Sequence, residues 1–316
     1  MIPAAIHPWA RAEALGASMP EFARFQDEPP QMRSGVVGKT GFLRLGFEHR
    51  SGETILAQLQ RRAPYMVQRA LHCDEEMAGM ASVFLITTTG CVLQGDRLAL
   101  DIVLGPRAQA HITSQSATKI HAMDANYAAQ SQTMTLADDA YLEFLPDPVI
   151  PHRHSRFLSD TQICIAPSAT LLLSEIIQPG RKHHHPEERF GATVLSIATS
   201  AVRPDGRSLF AEKLVIEPRR YEMRQTGVMD SFDVFANVIV CTPPDKTARI
   251  HEGADAGVNL TEGLAFGACR LPNDAGLIFK VLGRETAQVK AKVRDIWRLV
   301  RKEVVGAALP APYLWR

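Results

Sequence analysis

The side chains able to do chemistry are carboxylates and imidazoles near strand ends and turns. Glu143 and Asp147 frame the segment EFLPD, and His152 and His154 follow just beyond Pro151. Two imidazoles two residues apart in an extended chain fall on one side, where they can share a metal ion; the same spacing also describes polar side chains along a strand edge. Glu175 interrupts the apolar run LLLSEII, Leu171 to Ile177. A carboxylate in such a strand needs a partner, water or an ion, because unpaired burial is costly. His183, His184 and His185, followed by Glu187 and Glu188, make a metal trap in a turn that begins at Pro179 and Gly180 and closes at Pro186. Such exposed clusters bind divalent ions with or without a biological role. Asp96 lies in ITTTGCVLQGDRLALDI, Ile86 to Ile102, which reads as strand, glycine turn, strand, with Asp96 on the turn and Cys91 across it. A local turn bond and a functional role are both open to that carboxylate.

Common catalytic signatures are absent: the chain has no GxSxG, HExxH or GxGxxG. Gly35, Gly38, Lys39 and Thr40 imitate the end of a phosphate-binding loop. The position of its first glycine holds Arg33, however, and no strand precedes it, so a nucleotide site is rejected.

These residues need a scaffold, and the chain of 316 residues can bury a sizeable core without staples. Its five cysteines are odd in number and never in CxxC spacing, which fits a reducing compartment and buried thiols and argues against zinc-finger chemistry. With 35 basic and 34 acidic residues the net charge is +1, which offers no general field for nucleic acid or an anionic membrane. No apolar run reaches membrane-spanning length and the first twenty residues lack a signal-peptide core, so the expected place is the cytoplasm.

Residues 1–34 show no sustained period and are expected to be a mobile leader; residues 35–316 are expected to form one mostly-β domain. Short β-type runs recur about every ten residues, from Phe42–Phe47 and Thr54–Leu59 through Tyr141–Leu145 and Thr170–Ile177 to Phe235–Cys241, with Gly and Pro between them. The pattern predicts an all-β fold: a sandwich, barrel or wound, solenoid-like stack. Between Glu285 and Val305, Val289, Val293, Ile296, Trp297, Val300 and Val304 recur at helical spacing, predicting a C-terminal amphipathic helix. Lys290, Lys292, Arg294, Arg298, Arg301 and Lys302 are expected on its outer face. A second short helix is expected near Asp255 to Phe266.

Six segments in order give a resemblance over about 270 residues: TTGCVLQGD, SATK (Ser116–Lys119), YLEFLPDP (Tyr141–Pro148), the LLLSE block ending at Gly180 and Arg181, GRSLFAEKL (Gly206–Leu214) and RDIWRLVR with YLW. The chain resembles the urease accessory protein D family, called H in some systems. The resemblance implies a wound, mostly-β scaffold without catalytic activity of its own. It also implies a role in urease maturation with accessory protein F, through it the GTPase accessory protein G, and apo-urease. Nickel would be transient cargo in a polar interior, with no permanent cofactor. By resemblance, Asp96, Thr118, Lys119, Glu143, Glu175 and Glu212 line or support that route, while Arg181 and Glu188 belong to a family loop. Two departures stand out: Gln94 where the family turn usually has glycine, and a longer loop filled by His183 to His185. A conduit needs oxygen and imidazole ligands that exchange quickly, since a closed thiolate site would trap the ion. The alternative is a free-standing metal-dependent hydrolase using Asp96, Glu175 and the imidazoles of His154 or His183–His185. Those groups would have to converge to about 2 Å from one ion.

Overall fold

The structure, a computed structural model, describes residues 8–30 and 39–311. Eighteen strands are found among the described residues. In chain order they are β1 (Thr40–Arg50), β2 (Glu53–Arg62), β3 (Tyr65–Met66), β4 (Ala81–Thr87), β5 (Arg97–Leu104), β6 (Gln109–Ser114), β7 (Thr118–Ile120), β8 (Ala128–Leu136) and β9 (Tyr141–Phe144). There follow β10 (Val149–Pro151), β11 (Arg156–Ile165), β12 (Thr170–Ile177), β13 (Val194–Val202), β14 (Ser208–Ile216), β15 (Val234–Cys241), β16 (Gly257–Asn259), β17 (Leu264–Arg270) and β18 (Gly276–Gly283). The helices are α1 (Pro8–Ala14), α2 (Pro244–Glu252) and α3 (Thr286–Val305).

The strands form two mixed sheets, neither closed into a barrel. The first runs β14, β13, β11, β8, β5, β1, β2; the second runs β16, β17, β18, β15, β12, β9, β6, β4, β3, with β10 and β7 branching from β12. In the middle of the chain successive strands alternate between sheets, so β5, β8, β11 and β13 pair in parallel in one while β4, β6, β9 and β12 pair in parallel in the other. Alternate residues of each strand therefore share one inter-sheet core. Leu98, Leu100 and Ile102 of β5 meet Leu142 and Phe144 of β9 and Leu171 and Leu173 of β12 there.

The outer face of the second sheet carries its own core, in which Leu172, Ile176, Val238 and Phe279 pack under Val289, Val293, Ile296, Trp297 and Val300 of α3. Gly306 closes that helix with its backbone at φ 70°, the left-handed turn that glycine adopts without strain. No helix among the described residues is long and apolar enough to cross a membrane.

Three sequence expectations need correction. The described part of the leader, residues 8–30, packs on the first sheet: Leu15, Phe22 and Phe25 are buried with Tyr127, Leu158 and Val194. Two aromatic anchors and a leucine in a stretch without period suffice to hold it; residues 1–7 and 31–38 lie outside the described residues. The second helix is at Pro244–Glu252, whereas Asp255 to Phe266 holds β16 and part of β17. Of the cysteines, Cys241 is buried but Cys73 and Cys269 are exposed.

Candidate functional site

One end of the inter-sheet core is polar. On β12, Glu175 alternates with Leu173 and Ile177 and so faces the first sheet, while Leu172 and Ile176 face α3. Register carries its row sideways: Glu175 pairs with Asn237 of β15, and Asn237 with Lys280 of β18. The facing row of the first sheet is Gln132, Thr161, Thr199 and Glu212, each in register with the next. Lys280 Nζ joins the two rows by donating to the Glu212 carboxylate. Gln132, Thr161, Thr199 and Asn237 are all buried. Two sheets thus enclose a lane of amides, hydroxyls and carboxylates.

A cavity of about 100 Å³ opens beside Glu175, lined also by Thr118, Gln130, Gln132 and Ser159 and by the exposed Gln115 and Ser116. At the Lys280 end lies a larger groove of about 500 Å³, bounded by Asn237, Lys280, Leu214, Tyr221, Met223 and Val228. Burial pushes the Glu175 carboxyl up to about 7; the nearby Glu212 carboxylate adds to the rise and Lys280 opposes it. Its proton is therefore held to higher pH than that of an ordinary carboxyl.

Glu143 has a different setting. Leu142 and Phe144 point into the inter-sheet core, so Tyr141 and Glu143 point under α3. Arg301 donates to Glu143 Oε1 from Nε at 2.6 Å and to Oε2 from Nη2 at 3.0 Å. Tyr141 OH donates to Oε1 at 2.8 Å, and His111 Nδ1 lies 2.8 Å from Oε2. Asp74 lies 2.7 Å from the Arg301 guanidinium, and Trp297 stacks on His111 with ring centroids 5.3 Å apart. Burial raises the Glu143 carboxyl, but the bonds from His111 and Arg301 outweigh it and bring it down to about 2. Arg301 was expected on the exposed basic face of the helix; it is fully buried. Glu143, fully buried in β9, needs a cation there, and helical periodicity in charge cannot reveal which arginine turns inward.

Asp96 holds its own turn together. Its Oδ1 accepts the Lys39 amide at 2.9 Å and its Oδ2 the Leu93 amide at 2.8 Å. Gly95 beside it has φ 75°, and a Cβ there would meet the Pro30 carbonyl oxygen at 2.1 Å. Lys119 is exposed on β7, one residue from Thr118. Arg181 Nη2 donates to Glu188 Oε1 at 2.5 Å, and Glu188 Oε2 accepts the Arg153 amide at 3.1 Å, which ties the loop after β12 to the chain after β10. His183, His184 and His185 are exposed beside that loop, and His185 Nδ1 accepts the Glu187 amide.

His152 and His154 do not share a side. The chain turns there, with His154 at φ 65°, so His152 is buried while His154 accepts from Arg219 at 2.6 Å. Among the described residues no group of three or more His, Cys, Asp or Glu gathers closely enough to hold a metal ion. Of the eight carboxylate, threonine, lysine and arginine positions singled out, the fold brings Thr118, Glu175 and Glu212 to the lane and its cavity. Asp96, Glu143 and the Arg181–Glu188 pair lie in separate networks. Sequence reading missed Asn237, Lys280, Gln132 and Thr199, whose only signal is a polar residue on the inner parity of an otherwise apolar strand.

A model of the family described as UreD urease accessory protein matches residues 39–316. The chain belongs to this family. Urease accessory protein UreD of Photorhabdus laumondii is 54% identical over 306 residues, covering 97% of this chain and 95% of that protein. The corresponding protein of Yersinia enterocolitica serotype O:8 is 51% identical over 312 residues, with 97% and 95% covered. Urease accessory protein UreD 2 of Brucella suis biovar 1 is 50% identical over 295 residues, with 93% and 98% covered. Family membership gives a role in urease maturation as an accessory protein.

Proposed function

We propose that the chain is a urease maturation scaffold that passes nickel, as cargo, along the polar lane between its sheets to apo-urease, in the cytoplasm and in complex with accessory protein F and, through F, the GTPase accessory protein G. The observation that carries this reading is the placement of Glu175, a carboxyl raised to about 7, beside an interior cavity and in register with Asn237 and Lys280, whose Nζ reaches the Glu212 carboxylate. Oxygen donors arranged singly along a row bind a divalent ion weakly and release it, whereas a closed cage would keep it. The alternation of β4 to β12 between the sheets supports a wound stack as the scaffold of that lane.

The hydrolase reading fares worse. Asp96 spends both oxygens on backbone amides, and Glu175, His154 and His183–His185 lie in different surroundings without converging.

The test is co-expression with accessory proteins F and G and apo-urease, with gel filtration of the complex and a urease assay at limiting nickel. Glu175→Ala should lower activation while the complex still assembles. Unchanged activation would sink the lane as the path.

A further inference from the structure

Away from the lane, the parallel pairing of β7 with β10 brings together two imidazoles separated by thirty positions of intervening chain. The register runs Thr118 with Val149, Lys119 with Ile150 and Ile120 with Pro151, so His121 and His152 come next on their respective chains. Backbone bonds continue the ladder there: the His152 amide donates to Ile120 O and the His121 amide to Val92 O, each at 2.9 Å. The rings stand with centroids 5.6 Å apart and planes 53° to one another. That separation suits two imidazoles converging on one ion, with metal–nitrogen bonds of about 2.0–2.1 Å.

Each ring has a nitrogen free to ligate. His152 is 7% exposed, and its Nε2 is buried with no hydrogen-bond partner among the described residues. An orphaned polar atom of that kind calls for an occupant. The exposed His121 has Nδ1 at 3.2 Å from the Ala122 carbonyl oxygen. Donation from Nδ1 to that oxygen leaves Nε2 with the lone pair, the arrangement in which histidines bind metals. We propose that His121 and His152 form a two-imidazole site for a borderline divalent cation such as Ni²⁺ or Zn²⁺, with solvent filling the remaining positions.

The surroundings tune the site towards weak, reversible binding. Burial, then the charges of Arg181 and His121, lower the His152 imidazole from its ordinary value. Lys119 adds positive charge nearby, while the Arg181 charge is met by Glu188. Imidazole nitrogens favour Ni²⁺, Cu²⁺ and Zn²⁺ over Mg²⁺ or Ca²⁺. Thr118, at the start of β7, lines the Glu175 cavity, so the pair stands at the other end of a strand that walls the lane.

Calorimetry on the isolated full-length chain tests the site without any urease readout, so its outcome is separate from that of the delivery reading. The background variant carries His183→Ala, His184→Ala and His185→Ala to remove the exposed cluster. With Ni²⁺ alone or Zn²⁺ alone, this variant should retain one weak site per chain that Mg²⁺ does not fill. His121→Ala should abolish it while leaving the far-UV circular dichroism and melting curve unchanged, since the His121 ring is exposed. His152→Ala should abolish it too; if that variant does not fold, His121→Ala decides alone. No residual site in the background variant, or a site that survives His121→Ala, overturns the proposal.

Discussion

Arg301 and Glu143, 158 residues apart, form a doubly hydrogen-bonded ion pair that is fully buried between α3 and β9, at 2.6 and 3.0 Å. Removing one partner leaves an uncompensated charge in the interior. Glu143→Gln should therefore cost about 3–5 kcal/mol in urea unfolding. The pair should also show in acid. The folded carboxyl lies near 2, below its ordinary 4.5, so its contribution is present above about 4.5 and is lost as pH falls towards 2. The stability gap between the parent chain and Glu143→Gln should shrink over that window. A gap independent of pH would refute the assignment.

Glu175 should show the opposite sign. Its folded value of about 7 lies above the ordinary 4.5, so the native state holds the proton more tightly and stability declines as pH rises between those values. Glu175→Gln removes that decline. The variant should gain on the parent as pH rises from about 4.5 to about 7, then keep a constant margin, while urease activation falls. Parallel stability curves would show that the carboxylate has a partner.

Asp96 should matter to stability. Asp96→Ala strands the Lys39 and Leu93 amides and should cost about 1–3 kcal/mol. Asp96→Asn keeps one acceptor and should recover part of the loss. Denaturant midpoints decide this; equal midpoints for Ala and the parent would return Asp96 to a purely functional role.

Trp297 is 5% exposed, stacked on His111 and packed into the core under α3. Trp297→Ala should cost about 3–5 kcal/mol and reduce soluble yield. Arg298, exposed and paired among the described residues with Asp295 three residues earlier, should tolerate Arg298→Glu without loss of folding. Lost binding of accessory protein F in that variant would mark the outer face of α3 as a docking surface.

The exposed histidine loop should bind nickel without governing delivery. Replacing His183, His184 and His185 with Ala should remove most of the nickel bound by the purified chain but leave urease activation nearly intact. Loss of activation at limiting nickel would make that loop an entry point to the route.

The sequence by itself determined what local patterns can encode. Short β-type runs such as Tyr141–Leu145 and Thr170–Ile177 became strands buried on both faces, which is why they read as near-continuous apolar runs. The 3.6-residue stripe through Val289, Val293, Ile296 and Val300 became the C-terminal helix under which a second core forms. Glu175 stood out because a carboxylate in LLLSEII violates its surroundings. Parity also lies in the sequence: it fixes that Glu175 shares a face with Leu173 and Ile177, not with Ile176.

Tertiary structure alone decided partnership. Whether Glu143 faces a lane or a helix depends on which sheet face α3 covers, and α3 lies more than 140 residues further along the chain. The buried Arg301 and the exposed Arg298 differ by three residues on one helix, and only packing against β9 separates them. Register likewise brings His121 beside His152 at the end of a parallel pair and joins Glu175 to Asn237 and Lys280 across antiparallel ones. Register is a property of pairing between distant strands, set by how the whole chain winds, and no single strand carries it.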